Sequence, residues 1–436
     1  MRKTLRHRTA CRLHDIAHAP IMQRSIHRAA VHLCMRASAA TIARFILHPT
    51  MRITDIREHA IPISRYADPA IASGGLTTSI VAVITDVVRD GRPVTGYGYA
   101  SVGRHAQGGL IRERFAPRLL AGADAIADDT GINVDPFRAW HAMMAGEKPG
   151  GHGERCVAVG VLDMAIWDAA AKIAGLPLHR FVASRLARRA APRVRVYAGG
   201  GYRYPHDDLA RLSDEVSRIV DLGYTHAKIK IGGPDIDDDK RRIEAAAARL
   251  GDTSHLAVDA MNTYDATSGR AAAAMLEPFG LWWFEDLCDP LDLPLHAELT
   301  AWYPPPVAAG EALFSLAEAK LLERYGGLRA DRDVLVFDPV HCYGLPGYVQ
   351  IVEHFVSSGW RRDAFWPHGG HLFSLHVVAA LGLGGAEVSP FAFHPFSGLA
   401  DGEMIDAGYA AVPQAPGIGF ELHADAYRAF RAVAGR

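Results

Sequence analysis

From residue 191 onward, short β-rich runs alternate with amphipathic stretches, and six consecutive runs end in an ionisable residue: Lys230, Asp259, Glu285, Glu311, Asp338 and His368. Their separations are 29, 26, 26, 27 and 30 residues, one strand-plus-helix unit each time. The full set of runs is VRVYAGGG, THAKIKIGG, HLAVDA, LWWFED, PVAAGE, VLVFDP, DAFWPH and VSPFAF. Eight such units predict an α/β fold, a (β/α)8 barrel whose strand ends converge on one mouth.

A strand alternates its side chains with period two, so Lys228 and Lys230 of AKIKIGG point the same way. Asp259, Glu285 and Glu311 come from the next three strands. Three carboxylates confined together require a compensating cation, and oxygen ligands suit a hard divalent ion, Mg²⁺. Two ammonium groups beside that ion are expected to lower a lysine pKa toward the roughly 7 to 8 useful to a general base. Lys230 is then the base. The acid most in need of such help is a carbon acid next to a carboxylate, which the metal would hold while stabilising the ene-diolate formed. A lone Lys-x-Lys is usually a solvated edge and a lone strand-end acid a helix cap, but six such residues at barrel period are hard to explain as caps.

Ahead of the barrel, RITDIREHAIPI, LTTSIVAVITDVV and PVTGYGYASVG read as three strands, and residues 154–174 as a helix stopped by Gly175 with Pro177 beyond. Residues 51–190 are thus expected to form an α+β capping domain, 191–400 the barrel, and 401–436 a segment that packs back on the cap. IDDDK (236–240) reads as a solvated acidic helix start, His371 as the opening of a helix, and His341 as a wall residue.

The first 50 residues carry eight Arg, one Lys and one Asp, a charge of +8 that leaves the remainder at −9. They are expected to be a disordered or non-native extension, similar to an Arg-rich transit peptide. Nucleic-acid binding is disfavoured because the basic residues lack interleaved aromatics. No apolar stretch approaches the roughly 20 residues of a membrane span, so no membrane partner is expected. Five cysteines without CxxC spacing fit a reducing compartment, the cytoplasm.

The KIK strand, the Asp-Glu-Glu ladder, FDP, PHGGH and the terminal PGIGFEL resemble the mandelate racemase branch of the enolase superfamily. MMAGEKPGGHGERCVAVG, GEALFS and HGGHLFSLHVVAALGLGGAE look most similar to acid sugar dehydratases of the D-tartrate type. The resemblance implies a Mg²⁺-dependent hydro-lyase in which Lys230 takes the α-proton and His368, paired with Asp338, protonates the departing β-hydroxyl to yield a 2-keto acid. Lys228 would neutralise charge on the substrate carboxylate, and Lys148 and Glu387 would bind substrate. It also implies a homo-oligomer acting on a small carboxylate. Where such proteins commonly have Asn two residues after the first metal Asp, Met261 stands here and Asn262 follows. The alternatives are a racemase or epimerase of an α-hydroxy acid, then a non-catalytic barrel.

Overall fold

The computed structural model describes residues 50–102, 105–122 and 124–435. All but the last residue of the basic extension, 1–49, lies outside them. An antiparallel sheet opens the described chain, with strands β1 (Ile53–Pro62), β2 (Thr77–Arg89) and β3 (Arg92–Tyr99) in that order. Against it lies the helix Glu154–Ala174, whose limits match the sequence reading and whose C-cap Gly175 adopts the left-handed conformation. This helix is apolar almost all round because it is covered on both sides, by β3 and by the helix Gly344–Ser357.

Seven parallel strands follow: β4 (Arg193–Gly199), β5 (Ala227–Lys230), β6 (Leu256–Asp259), β7 (Phe284–Glu285), β8 (Val307–Ala309), β9 (Val334–Leu335) and β10 (Ala386–Val388). Their order is β10-β4-β5-β6-β7-β8-β9, and β11 (Tyr409–Ala411) adds antiparallel to β4. The seventh position of the barrel is a single residue. Phe365 bridges Leu335 in parallel, and its carbonyl accepts from Gly384 N at 3.0 Å, which carries the ring from β9 toward β10. The result is the (β/α)8 barrel, with a helix in each connection from β4 to β10.

Three readings need correction. The last strand is Ala386–Val388 and not VSPFAF, because Pro390 cannot donate to a ladder and Phe393 turns to positive φ. Strands β8 and β9 stop two and three residues before Glu311 and Asp338, so these acids, like His368, project from loops just beyond the strand ends. Asp239 of IDDDK is fully buried: it accepts from Gly232 N (2.9 Å) and Gly233 N (3.0 Å) and pairs with Arg203 (2.6 Å). The acidic helix start thus clamps the loop that follows β5.

The closing helix Ala424–Ala434 packs on β1 and β2, and Tyr97 of β3 stacks with Phe430, ring centroids 5.1 Å apart. Inside the barrel, Tyr197, Trp283, Val334, Val336 and Trp366 form a buried cluster. Burying each large side chain contributes about 1.5 to 3 kcal/mol. That dense packing gives the charged residues beside it a rigid base. No helix among the described residues is long and apolar enough to cross a membrane.

Candidate active site

The ladder residues meet. Asp259, Glu285 and Glu311 each present a carboxylate oxygen within 4.8 Å of the others'. Lys228 and Lys230, both buried on β5, face them: Lys230 Nζ donates to Asp259 Oδ2 and Lys228 Nζ to Glu285 Oε1. Lys228 Nζ also lies 3.7 Å from Asp259 Oδ2 and 3.6 Å from Glu387 Oε1. Parallel pairing places Lys230 opposite Asp259, and Asp259 opposite Glu285, so register alone sets the cluster side by side. The remaining oxygens are anchored: Met261 N donates to Asp259 Oδ1 (2.8 Å) and Trp283 Nε1 to Glu285 Oε2 (2.8 Å).

Two lysines do not neutralise this set. Burial pushes the Glu285 carboxyl up to about 7, with Asp259 and Glu311 adding to it against the pull of Lys228. Glu311 Oε2 is buried with no hydrogen-bond partner among the described residues. An unsatisfied carboxylate oxygen among hard oxygen donors fits a divalent cation such as Mg²⁺.

The expected lowering of the lysine pKa is not what the protein groups alone produce. Burial pushes Lys230 down, but Asp259 and the Tyr202 hydroxyl outweigh it and hold the ammonium above its usual range. Lys228 behaves alike, with Glu285 and Glu387 outweighing burial. A cation held by Asp259, Glu285 and Glu311 would take up the same carboxylates that raise the ammonium groups, and would add its own positive charge beside them.

On the other side stands His368. Its Nδ1 is 3.0 Å from Asp338 Oδ2 and its Nε2 is 3.4 Å from Glu311 Oε1. Burial disfavours the imidazolium, yet Glu311 and the bond to Asp338 raise the His368 pKa to about 9. Asp338 is fully buried and held as a carboxylate, because His341 and His368 overcome its desolvation. Its Oδ1 accepts from Val340 N (2.6 Å), and its Oδ2 accepts from Ser101 Oγ (2.6 Å). His341 is a buried neighbour, Nε2 3.6 Å from Asp338 Oδ2, and His371 caps the helix Leu372–Leu381 by accepting from Ser374 N (3.1 Å).

Glu387 accepts from Gly369 N at 3.2 Å. A Cβ on Gly199 would sit 2.0 Å from Glu387 Oε1, so only glycine leaves room for this acid at the mouth. Lys148 is exposed in its loop, where its carbonyl accepts from Arg155 Nη1 (3.1 Å). Asn262 reaches Asp286 Oδ2 (3.0 Å), so the polar contact displaced by Met261 goes to the residue after Glu285. Both Met261 and Asn262 have positive φ, 54° and 60°. Sequence reasoning missed Ser101, Tyr202 and Trp283. Ser101 carried no signal in its spacing, but Trp283 stands two residues before Glu285 on the same strand face.

Residues 211–426 match the family described as Enolase C-terminal domain-like. L-talarate/galactarate dehydratase of Salmonella typhimurium is 29% identical over 70% of this chain and 71% of its own length. Arabinonate dehydratase of Saccharolobus solfataricus is 26% identical over 65% of this chain and 74% of its own. The crystal structure of L-talarate dehydratase from Polaromonas sp. JS666, complexed with Mg and L-glucarate, superposes with a TM-score of 0.65 at 26% identity, covering 85% of this chain and 94% of that one. Barrel, carboxylate ladder, Lys-x-Lys and His-Asp pair together place the chain in the mandelate racemase branch of the enolase superfamily.

Proposed function

We propose that the protein is a Mg²⁺-dependent acid sugar dehydratase, a hydro-lyase, acting on a small hydroxy acid of the D-tartrate type. The observation that carries this reading is a lysine base and a histidine-aspartate acid flanking one carboxylate triad. Relatives that are dehydratases of arabinonate and of talarate or galactarate support the reaction class.

Asp259, Glu285 and Glu311 would hold Mg²⁺. When bound, the ion supplies Lewis-acid polarisation of the substrate carboxylate and adds positive charge beside the lysines. Lys230 removes the α-proton, and Lys228 offsets the charge that develops on the carboxylate. His368, oriented by Asp338, delivers its Nε2 proton to the departing β-hydroxyl, which leaves as water. The remaining enol takes a proton at carbon to become a 2-keto acid. Glu387 orients the substrate end nearest Lys228. A distal acid group would be met from above the mouth by Lys148 or by Arg65, whose guanidinium lies 5.7 Å from the Tyr202 ring that also receives Lys230 at 5.2 Å. The enzyme is expected to assemble as a homo-oligomer and to work in the cytoplasm.

The test is a screen of purified protein with Mg²⁺ against acid sugars and tartrate stereoisomers, reading 2-keto acids as semicarbazones. Keto acid formation that disappears in Lys230→Ala and His368→Asn is the expected result. An inverted stereocentre without keto acid would assign the site to racemisation instead, and no turnover or Mg²⁺ binding would leave a non-catalytic barrel.

A further inference from the structure

The acid has a partner from outside the barrel. Ser101 lies two residues beyond β3 and is fully buried. Its Oγ donates to Asp338 Oδ2 at 2.6 Å, the same oxygen that His368 Nδ1 meets at 3.0 Å. Ser101 holds a φ of +62°, a region that costs a non-glycine residue of order 1 kcal/mol or more and is relieved by glycine. A serine kept in a glycine conformation, with its hydroxyl aimed at a buried carboxylate, has its side chain as the compensating gain.

We infer that Ser101 is a positioning residue for the acid: its hydroxyl fixes the Asp338 carboxylate and through it the His368 ring. The assignment of His368 as proton donor rests on the dehydratase reading; the contact does not. With Oδ1 held by Val340 N and Oδ2 shared by Ser101 and His368, the carboxylate cannot rotate about its Cβ–Cγ bond without losing a bond. Without the hydroxyl, Oδ2 loses its closest partner and keeps the His368 and His341 rings at 3.0 and 3.6 Å, and the His368 ring follows whatever rotation the carboxylate makes. Because Ala100 N bonds Ser79 O (2.9 Å) and Thr78 Oγ1 bonds Ser101 O (3.3 Å), the antiparallel sheet sets the hydroxyl's place. That sheet therefore contributes to proton delivery and not only to substrate enclosure.

Ser101→Gly separates this role from a structural one, because it removes the hydroxyl while relaxing the backbone. The expected result is a denaturation midpoint equal to or above wild type, KM within about twofold, and kcat reduced roughly 10- to 100-fold, as for other residues that orient a reacting group. In ¹⁵N-histidine spectra, the His368 Nδ1 resonance, assigned with His368→Asn, should move in Ser101→Gly. An unchanged kcat, or a fall in kcat accompanied by an unmoved resonance, would overturn the inference. If the wild type turns over no acid in the screen, the dehydratase reading fails and the resonance alone decides for Ser101: a shift upholds the positioning contact, and no shift removes it.

Discussion

Asp168 Oδ1 accepts the backbone N–H of Ile418 at 2.7 Å, tying the long helix of the N-terminal region to a segment 250 residues later. Its Oδ2 accepts from Tyr97 N (2.9 Å) and pairs with Lys172 (2.6 Å), which also pairs with Glu421 (2.7 Å). One fully buried carboxylate therefore joins β3, the helix and the chain's closing segment.

Asp168→Ala should destabilise the protein by about 3 to 5 kcal/mol, since it orphans two buried N–H groups and leaves Lys172 with Glu421 as its one carboxylate, beside the Thr95 carbonyl. Denaturant unfolding measures this. Mg²⁺ affinity should be unchanged, because Asp168 lies outside the carboxylate cluster.

The second prediction concerns acid. His376 is fully buried; its Nε2 donates to Ile418 O (2.8 Å) and its Nδ1 accepts from His179 N (3.1 Å), so a second ring proton would face a donor. Burial lowers its pKa to about 3 and, with Arg180, lowers that of His179 to about 4. The unfolded chain titrates these rings near 6.5, so between that pH and about 4 it binds protons that the fold excludes. The stability they contribute is complete above pH 6.5 and declines as pH falls, by about 1.4 kcal/mol per pH unit for each ring. Comparing wild type with His376→Leu by urea unfolding at pH 7.5, 6 and 5 isolates the effect: the wild type should lose stability more steeply. Parallel curves would refute it.

Much of this was legible in the sequence because it is periodic. The six ladder residues recur at one βα unit, and parallel pairing converts that period into adjacency, as with Lys230, Asp259 and Glu285. The helix 154–174 was legible through its glycine stop. What escaped reading depends on chain segments far apart: Ser101 meets Asp338 across 237 residues, and no local pattern encodes that contact. The lysine ion pairs escaped for another reason. They depend on which carboxylate each ammonium meets, Asp259 for Lys230 and Glu285 for Lys228, and only the folded arrangement shows those pairings.

Gly160 gives the third prediction. A Cβ there would lie 1.8 Å from Val340 O, where the helix 154–174 touches the turn that carries Asp338. Gly160→Ala would gain about 1 kcal/mol of helix propensity but must push that turn away. We expect net destabilisation of roughly 1 to 3 kcal/mol and slower turnover, because the displaced residue Val340 anchors Asp338 Oδ1. Unfolding curves and steady-state rates test both. A neutral variant would mean that the turn has slack.

The last prediction concerns the metal. Mg²⁺ bound only by the folded chain stabilises it by mass action, about 2.7 kcal/mol at 100 times Kd. Thermal denaturation after chelation and dialysis should therefore show a midpoint that rises with added Mg²⁺. Glu311→Gln removes a ligand whose Oε2 has no hydrogen-bond partner among the described residues and whose Oε1 faces the His368 ring at 3.4 Å, so it weakens that ion pair but orphans no ammonium, and its cost to the metal-free fold should be smaller than its cost to Mg²⁺ affinity. Asp259→Asn and Glu285→Gln differ, because each carboxylate also pairs with a lysine. They should lower the metal-free midpoint as well, by leaving a buried ammonium without its closest anion. A Mg²⁺-dependent rise that survives in all three variants would place the ion elsewhere.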